Sequence, residues 1–524
     1  MPYQSGGGRR NNVQLGVGQS IWAGSPPQAI PERVLDGIPG FFAWVALLFC
    51  VIAAVAFPNT MLLIAVVVGG YNALRFFTSG IANVIGLLRV RKWEKIDWCV
   101  EYQRLKTPES LSWDDVMHVV IIPNYKEPIE ILAQTLENLA QQHDAQRNMV
   151  IVLAMEAAED ICVEKARELQ QQFESRFAHC FYTVHPRGLP GEMQCKSANQ
   201  AWAARWVKRE LVDARGYNID HIVVTTMDAD TLWHRSHFAA LTCLFAVNPD
   251  RYLRFWQAPI RYHGNIWDIN PLLRIVNAYS TALELAYLAA PWGLALPMSS
   301  YSLSLRLLDS SGYWDGDVIA DEWHMFIKAF FARNAEVKLE RVFLPFLAQA
   351  TTGDTLLDAI RNRYLQTLRH AWGSKEVGFT IAKMLEHPEI DFGRSFRLLM
   401  RISQDIMLAG PGWVILTVGS QLPLLFNPHI LEQMVAEGFS NPIFAALQVS
   451  FAVVTILGIV FWLQDVIVRP PRPKPPTILE RFYTLLSFPL LPVMTLIFVA
   501  IPTLQAQTRL LIGMPLQFRV TKKK

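Results

Sequence analysis

The stretch Ile222-Val223-Val224-Thr225-Thr226-Met227-Asp228-Ala229-Asp230 decides the reading of this chain. Its first five residues are β-branched, which predicts a buried strand, and Asp-x-Asp falls where that strand ends. Two carboxylates one residue apart at a strand's lip can hold a hard divalent cation against a diphosphate. That chemistry suits a nucleotide-sugar donor. Asp-x-Asp also occurs in solvated turns, so the pair gains meaning only from its surroundings.

Outward from this stretch, strands alternate with helical patterns between about Trp98 and Phe392. Val119–Ile122 predicts a first strand, Met149–Leu153 a second and Phe181–Val184 a third, with Ile222–Thr226 as the fourth. Amphipathic stretches from Ile129 to Gln142 and from Glu159 to Phe177 separate them. Such alternation predicts a mainly parallel sheet with ligands at the carboxyl ends of its strands. No G-x-G-x-x-G follows a strand and no phosphate-loop motif occurs, so a dinucleotide fold and a phosphate-loop ATPase are unsupported.

The chain has 524 residues, 52% of them hydrophobic, and a net charge of +3. That balance points to a membrane and gives no case for a nucleic-acid partner. Six cysteines without Cys-x-x-Cys spacing read as reduced thiols, neither disulfides nor zinc ligands. Residues 1–38 are expected to form a disordered N-terminal segment without a cleavable signal peptide.

Gly40–Phe57 is eighteen residues without a charge, long enough as a helix to reach roughly 27 Å. A turn at Pro58-Asn59 then leads to a second expected span, Thr60–Ser79, so residues 39–80 read as two transmembrane helices. Arg89, Arg91, Lys92, Lys95, Arg104 and Lys106 follow, which places the middle of the chain in the cytoplasm. Further apolar segments lie near Ile406–Leu425, Ile443–Trp462 and Phe482–Ile501. Arg394, Arg397 and Arg401 alternate with apolar residues, as in a helix lying on the inner leaflet or on the surface of the soluble domain. Residues 393–512 therefore read as interfacial and transmembrane helices, and 513–524 as a basic cytoplasmic tail. A single last crossing would strand either Arg469–Lys474 or Lys522–Lys524 outside. Pro489, Pro492 and Pro502 allow that segment to be re-entrant, interfacial or a hairpin instead.

Other candidates for chemistry stand near the strand ends. Pro123-Asn124-Tyr125-Lys126-Glu127-Pro128 follows the first strand; Tyr125 could stack on a base and Glu127 accept from it. Gly188–Asn199 is a loop running into a helix, with Lys196 able to meet phosphate as a point charge. His234 and His237 could join a metal, or be packed or capping histidines.

Taken together, Pro-x-Tyr-x-Glu, Lys-x-x-Asn and Asp-x-Asp, in that order, resemble the inverting family-two glycosyltransferases. The flanking spans make the chain most similar to the membrane-embedded synthases of cellulose, hyaluronan and chitin. Trp314-Asp315 followed by Ala320-Asp321-Glu322 stands where the family has Trp-Asp and then Thr-Glu-Asp. Gln366-Thr367-Leu368-Arg369-His370 stands where it has Gln-x-x-Arg-Trp, and Val520-Thr521-Lys522 resembles its Val-Thr-x-Lys ending. The resemblance covers roughly residues 40–524. It implies an α/β GT-A-like glycosyltransferase domain, residues 98–392, cytoplasmic and inserted between transmembrane α-helices.

The resemblance also implies roles. Glu322 aligns with the family's general base, with Asp321 as the alternative and Trp323 beside them on the acceptor side. Asp230 and Asp228 would hold Mg²⁺ or Mn²⁺. Pro123, Tyr125, Glu127, Glu156, Lys196, Asn199, Asp228, Gln257, Gln366 and Arg369 would line the donor site. The partners implied are a nucleotide sugar, a glycan or lipid acceptor and membrane lipids, with oligomeric state left open. The expected activity is inverting, metal-dependent hexosyl transfer from a UDP-linked donor to a growing polysaccharide, or alternatively to a lipid-linked acceptor. A more distant alternative is a non-catalytic membrane scaffold.

Three departures from the pattern mark this chain. The second strand ends in Met155-Glu156 where the family has Asp-Asp. Asp321-Glu322 exchanges the order of the two carboxylates. His370 replaces the tryptophan of the acceptor site, with Trp372 two residues on, which leans toward a distinct acceptor.

Overall fold

The computed structural model describes residues 30–514; the expected tail motif Val520-Thr521-Lys522 and most of the segment 1–38 lie outside the described residues. The strands are β1 Met117–Asn124, β2 Met149–Glu156, β3 His179–His185, β4 Ile222–Thr226, β5 Arg254–Gln257, β6 Ile260–Arg261, β7 Tyr301–Ser304, β8 Lys338–Arg341 and β9 Phe346–Leu347. Seven of them form one sheet in the order β3-β2-β1-β4-β7-β5-β8, while β6 and β9 pair separately. β1 runs parallel to β2 and β4, and β2 to β3. β7 runs antiparallel between β4 and β5, so the sheet is mixed.

Alternation along the strands builds a core on each face. Val120 and Ile122 of β1 join Ile151 and Leu153 of β2 on one face. Val119 and Ile121 join Val150 and Val152 on the other. Both faces are apolar, so β1 and β2 read as continuous hydrophobic runs. Both extend beyond their expected cores, β2 by three residues to Glu156. That extension carries Glu156 to the same edge as the residues after β1 and β4.

Among the described residues, four helices are long and apolar enough to cross a membrane: Glu32–Ala56, Pro58–Trp93, Pro442–Val468 and Leu491–Ile512. Phe392–Gly412 and Ile415–Phe426 form a fifth candidate, bent by 45°. The first helix begins at Glu32, so residues 32–38 are helical and not part of a disordered segment. Pro58 opens the second helix at its first turn, where a missing N–H is harmless, and that helix runs well past Ser79 to Trp93.

Contacts show which helix ends meet the sheet-containing domain. Lys375 pairs with Glu32 and Asp36 at the start of the first helix. Arg401 donates to the Leu294 carbonyl, while Asn427, beyond the bend, donates to the Ala54 carbonyl at the first helix's far end. Asp465, near the end of Pro442–Val468, meets His263 at 2.7 Å.

Leu491–Ile512 touches the domain near its start and packs along the first part of Glu32–Ala56 toward its end, where Trp44 donates to the Thr508 hydroxyl at 2.9 Å. Met494 and Phe498 pack with Ile266, Ile269 and Leu273. Gln505 accepts from the Tyr364 hydroxyl at 2.7 Å. Leu511 reaches Gly37, and Arg33 lies against Gly513. The expected last apolar segment is thus shifted toward the C-terminus, and the amphipathic turn Ile478–Ser487 precedes it. The helix Phe392–Met407 buries Leu398 and Ile402 against the domain and exposes Phe392, Phe396 and Met400.

Candidate active site

At the carboxyl edge of β1, β2 and β4 the chain encloses a cavity of about 620 Å³. Pro123, Tyr125 and Glu127 line it from the end of β1, and Glu156 from the end of β2. The β1 turn is held from behind: the Lys126 N–H donates to Glu159 at 2.7 Å, and Lys165 donates to the Glu127 carbonyl at 3.0 Å. Lys126 has a φ of 63°, the left-handed turn that points Tyr125 and Glu127 to the cavity. Glu156 contacts the His185 imidazole at 3.2 Å, whose other nitrogen meets Glu192 at 2.8 Å. Burial opposes protonation of His185, but the two carboxylates outweigh it and raise its pKa.

Asp228 and Asp230 enter directly after β4, and both line the cavity. Lys196 donates to Asp228 at 2.8 Å and to the Ser299 carbonyl at 3.0 Å. The Ser299 hydroxyl donates to the second Asp228 oxygen at 2.7 Å. Burial alone would lower the Lys196 pKa, yet Asp228, Asp321 and Glu322 hold it above the usual lysine range. Asn199 lines the wall and ties it to β2 by donating to the Ala154 carbonyl at 2.7 Å.

The opposite wall comes from the start of the helix Asp321–Ala332. Gln200 donates to Asp321 while accepting from the Thr226 hydroxyl at 2.7 Å. Asp321 is therefore pinned to the end of β4, whereas Glu322 makes no such bond and is less buried. Burial raises both carboxyls above their usual range, and for Glu322 the adjacent Asp321 adds to the rise. This helix starts at Asp321 itself. Both carboxyls thus stand in its first turn.

Behind them, His324 bridges Asp315 at 3.0 Å and Glu376 at 3.0 Å and stacks on Phe379 at 3.9 Å. Burial opposes its charge, but Glu376 and Asp315 push its pKa up to about 9. Trp314 is buried, its indole donating to the Tyr301 hydroxyl at 2.7 Å. The Trp-Asp pair therefore anchors the loop before Asp321 from beneath.

The helix Leu356–Ala371 closes the cavity with Gln366, Arg369 and His370 on its lining face, and Trp323 also faces it. Burial disfavours the Arg369 charge, while Asp228, Glu322 and Asp321 favour it. Enclosure and the neighbouring Arg369 push the His370 pKa down, leaving a neutral imidazole.

Two expected residues stand elsewhere. Gln257 is wholly buried and spends its amide on backbone, accepting from Met298 N–H at 2.8 Å and donating to Ala258 and Ser300 carbonyls. It shapes the Pro297–Ser300 loop and does not line the cavity. Trp372 belongs to a second cavity of about 390 Å³ that also borders His324, Asp315 and Glu376. Trp372 stands two residues after His370, just past the helix end at Ala371, a step of roughly 200° that turns it away from His370. His237 stacks on Trp233 at 4.1 Å, and neither it nor His234 lines the cavity.

Reasoning from sequence missed Gln200, His185, Ser299, Tyr262 and Glu284. Gln200 follows Asn199 in a marked motif, but nothing local signals its bond to residue 321. The others come together only through sheet order and helix docking.

Among the described residues, no cluster of three or more His, Cys, Asp or Glu side chains is arranged to hold a metal. Asp228 and Asp230 bring two carboxylates, hard oxygen donors, to the wall of a cavity that Lys196 and Arg369 also line. That donor set fits a Mg²⁺ or Mn²⁺ whose remaining positions come from a diphosphate and water, the usual habit of such ions.

No family model and no curated protein matches the chain. Among solved structures it is similar to a mannosyltransferase, PcManGT, from Pyrobaculum calidifontis, in complex with GDP-Man and Mn²⁺. The two share 16% identity over 75% of this chain and 98% of that one, with a TM-score of 0.38. It is also similar to TarS of S. aureus, at 12% identity over 64% of this chain and 55% of that one, with a TM-score of 0.28. Superpositions this loose assign no chemistry, which rests on the residues of the cavity.

Proposed function

We propose that this chain is a membrane-embedded, inverting glycosyltransferase of the family-two, synthase-like kind. It would move a hexose from a nucleotide-diphosphate sugar, a UDP-linked one by family habit, to a growing polysaccharide. The observation that carries this reading is one cavity containing Asp228, Asp230, Lys196 and Arg369 opposite Asp321 and Glu322. Carboxylates that favour a cation, cations that favour a diphosphate and a separate pair of acids are the parts such a transfer needs.

Inversion requires an acceptor hydroxyl to attack the anomeric carbon opposite the leaving diphosphate. An alcohol does not ionise beforehand near neutral pH, so a base removes its proton as bond making proceeds. Glu322 suits that role because it is the less restrained carboxyl, and burial has raised its basicity. Asp321, pinned by Gln200, holds the helix start in place. Lys196 and Arg369 share the charge that develops on the leaving diphosphate, in a site where enclosure strengthens each contact. Mg²⁺ or Mn²⁺ on Asp228 and Asp230 would supply Lewis-acid neutralisation of that diphosphate. Tyr125 and Glu127 are placed for the nucleoside.

The reading places the domain in the cytoplasm beneath four crossings: Glu32–Ala56, Pro58–Trp93, the bent pair and Pro442–Val468. Leu491–Ile512 is then an interface helix, since both of its ends touch the domain side. Four crossings return Arg469–Lys474 to the side of the domain, as a basic cluster demands. The alternative, a single transfer to a lipid-linked acceptor, is favoured by His370 at the tryptophan position. Purified protein given labelled UDP- and GDP-sugars in turn, with product length measured, tests both. A polymer supports the main reading, a single-sugar lipid supports the alternative, and no nucleoside diphosphate release from any donor would refute the enzyme.

A further inference from the structure

One border of the cavity is formed by the helix Pro271–Ala289, which packs on Pro58–Trp93 and Pro442–Val468. A polar cluster that no motif marks stands there. Glu284 accepts from the Tyr262 hydroxyl at 2.8 Å. Arg363 donates to the Gln366 side-chain oxygen at 3.0 Å, and its charge reaches both Tyr262 and Glu284. Gln349 lies just past β9, whose partner β6 leads into Tyr262.

Two oxygens of this cluster have no hydrogen-bond partner among the described residues, although both are buried: the second carboxylate oxygen of Glu284 and the amide oxygen of Gln349. The Nε donor of Arg363 is likewise buried without a partner there. Glu284 and Gln349 line the cavity. Buried polar atoms are rarely left unsatisfied, so what completes this cluster must both donate and accept. Hydroxyls do so. A phosphate or carboxylate would instead set a second anion against Glu284. Burial lifts the Glu284 carboxyl to about 7, with Tyr262 and Arg363 opposing the rise.

We propose that Glu284 and Gln349, with Tyr262 positioning the former, form a subsite that binds the hydroxyls of a neutral sugar unit of the acceptor. The inference rests on the glycosyltransferase reading above and deepens it. It names the acceptor as a neutral saccharide and disfavours a bare polyprenyl phosphate, which lacks the hydroxyl array of a sugar and adds negative charge.

The test uses the full-length protein in nanodiscs and equilibrium binding of defined probes. These are neutral disaccharides built from glucose, galactose, mannose or N-acetylglucosamine, the corresponding monosaccharides, and undecaprenyl phosphate. At least one of these saccharides is expected to bind. Glu284→Ala, Glu284→Gln and Gln349→Ala are each expected to weaken that binding at least about tenfold, with thermal melting unchanged as the check on folding. Binding of undecaprenyl phosphate alone, or saccharide binding indifferent to all three substitutions, would overturn the subsite. The glycosyltransferase reading is scored separately, by nucleoside diphosphate release from the parent protein, so the two fail independently.

Discussion

Lys196 donates to Asp228 at 2.8 Å, so the cation suited to a diphosphate rests on a carboxylate suited to a metal ion. The Ser299 hydroxyl holds the other oxygen of Asp228 at 2.7 Å. In the proposed reaction Asp228 would help hold a divalent cation, and Lys196, now on Asp228, would meet the donor's diphosphate. The lysine thus keeps the carboxylate neutralised until the donor is present.

Lys196→Ala is therefore expected to weaken donor binding more than it slows turnover. A charge-assisted hydrogen bond is worth about 1.5–3 kcal/mol, so the donor KM should rise by roughly ten- to hundredfold. Steady-state kinetics on the purified protein, with the donor varied, check this.

The pH profile follows from the base. Glu322 acts as its carboxylate, and burial beside Asp321 has raised its pKa. The acid limb of kcat/KM should rise with pH through a pKa well above the usual glutamate value of about 4.3. Glu322→Gln should remove that limb and lower kcat by about 10²–10⁴. Asp321→Asn should disturb the Gln200 contact and leave the limb in place. Profiles of the parent and both variants decide between the two carboxyls.

How much of this was legible in the sequence differs by element. Strands β1 to β4 were readable because both faces of each are apolar or β-branched, and Asp228 and Asp230 follow directly from one of them. Gln257 was misplaced because a marked glutamine on a strand does not reveal which way its amide faces. Trp372 was misplaced because the helix end at Ala371 rotates it into another cavity. Leu491–Ile512 has a span's composition, and only its neighbours along the domain side distinguish it. Glu284 and Tyr262 are 22 residues apart and meet through folding, which no local pattern reports.

His324 gives a stability prediction with a definite pH window. Its folded pKa is raised to about 9 by Glu376 and Asp315 against the opposing effect of burial. The stabilisation is fully present below the unfolded value of about 6.5 and is lost as pH rises through the folded value. His324→Gln leaves the buried Glu376 without its cation, while Asp315 keeps Lys328, and should cost about 3–5 kcal/mol at pH 6. Thermal melting of parent and variant from pH 6 to pH 10 should show the gap closing with rising pH.

Gly40 tests the interface helix. A Cβ built there would stand 2.3 Å from the Gln507 carbonyl oxygen, too close for any side chain. Gly40→Val should push the helix Leu491–Ile512 away from Glu32–Ala56 and destabilise by about 1–3 kcal/mol. Because Val499 and Thr503 of that helix line the cavity, activity should fall as well. Denaturation in detergent and turnover of the surviving protein measure the two effects.

The central claim is that the cavity transfers sugar from a nucleotide diphosphate. Release of nucleoside diphosphate by the purified protein, with and without Mg²⁺ or Mn²⁺, tests it most directly. The account predicts release that requires the metal, is abolished by EDTA, and falls at least about a hundredfold in both Asp230→Asn and Glu322→Gln. Release at the parent rate in both variants, or none from any nucleotide sugar by the parent, would contradict it.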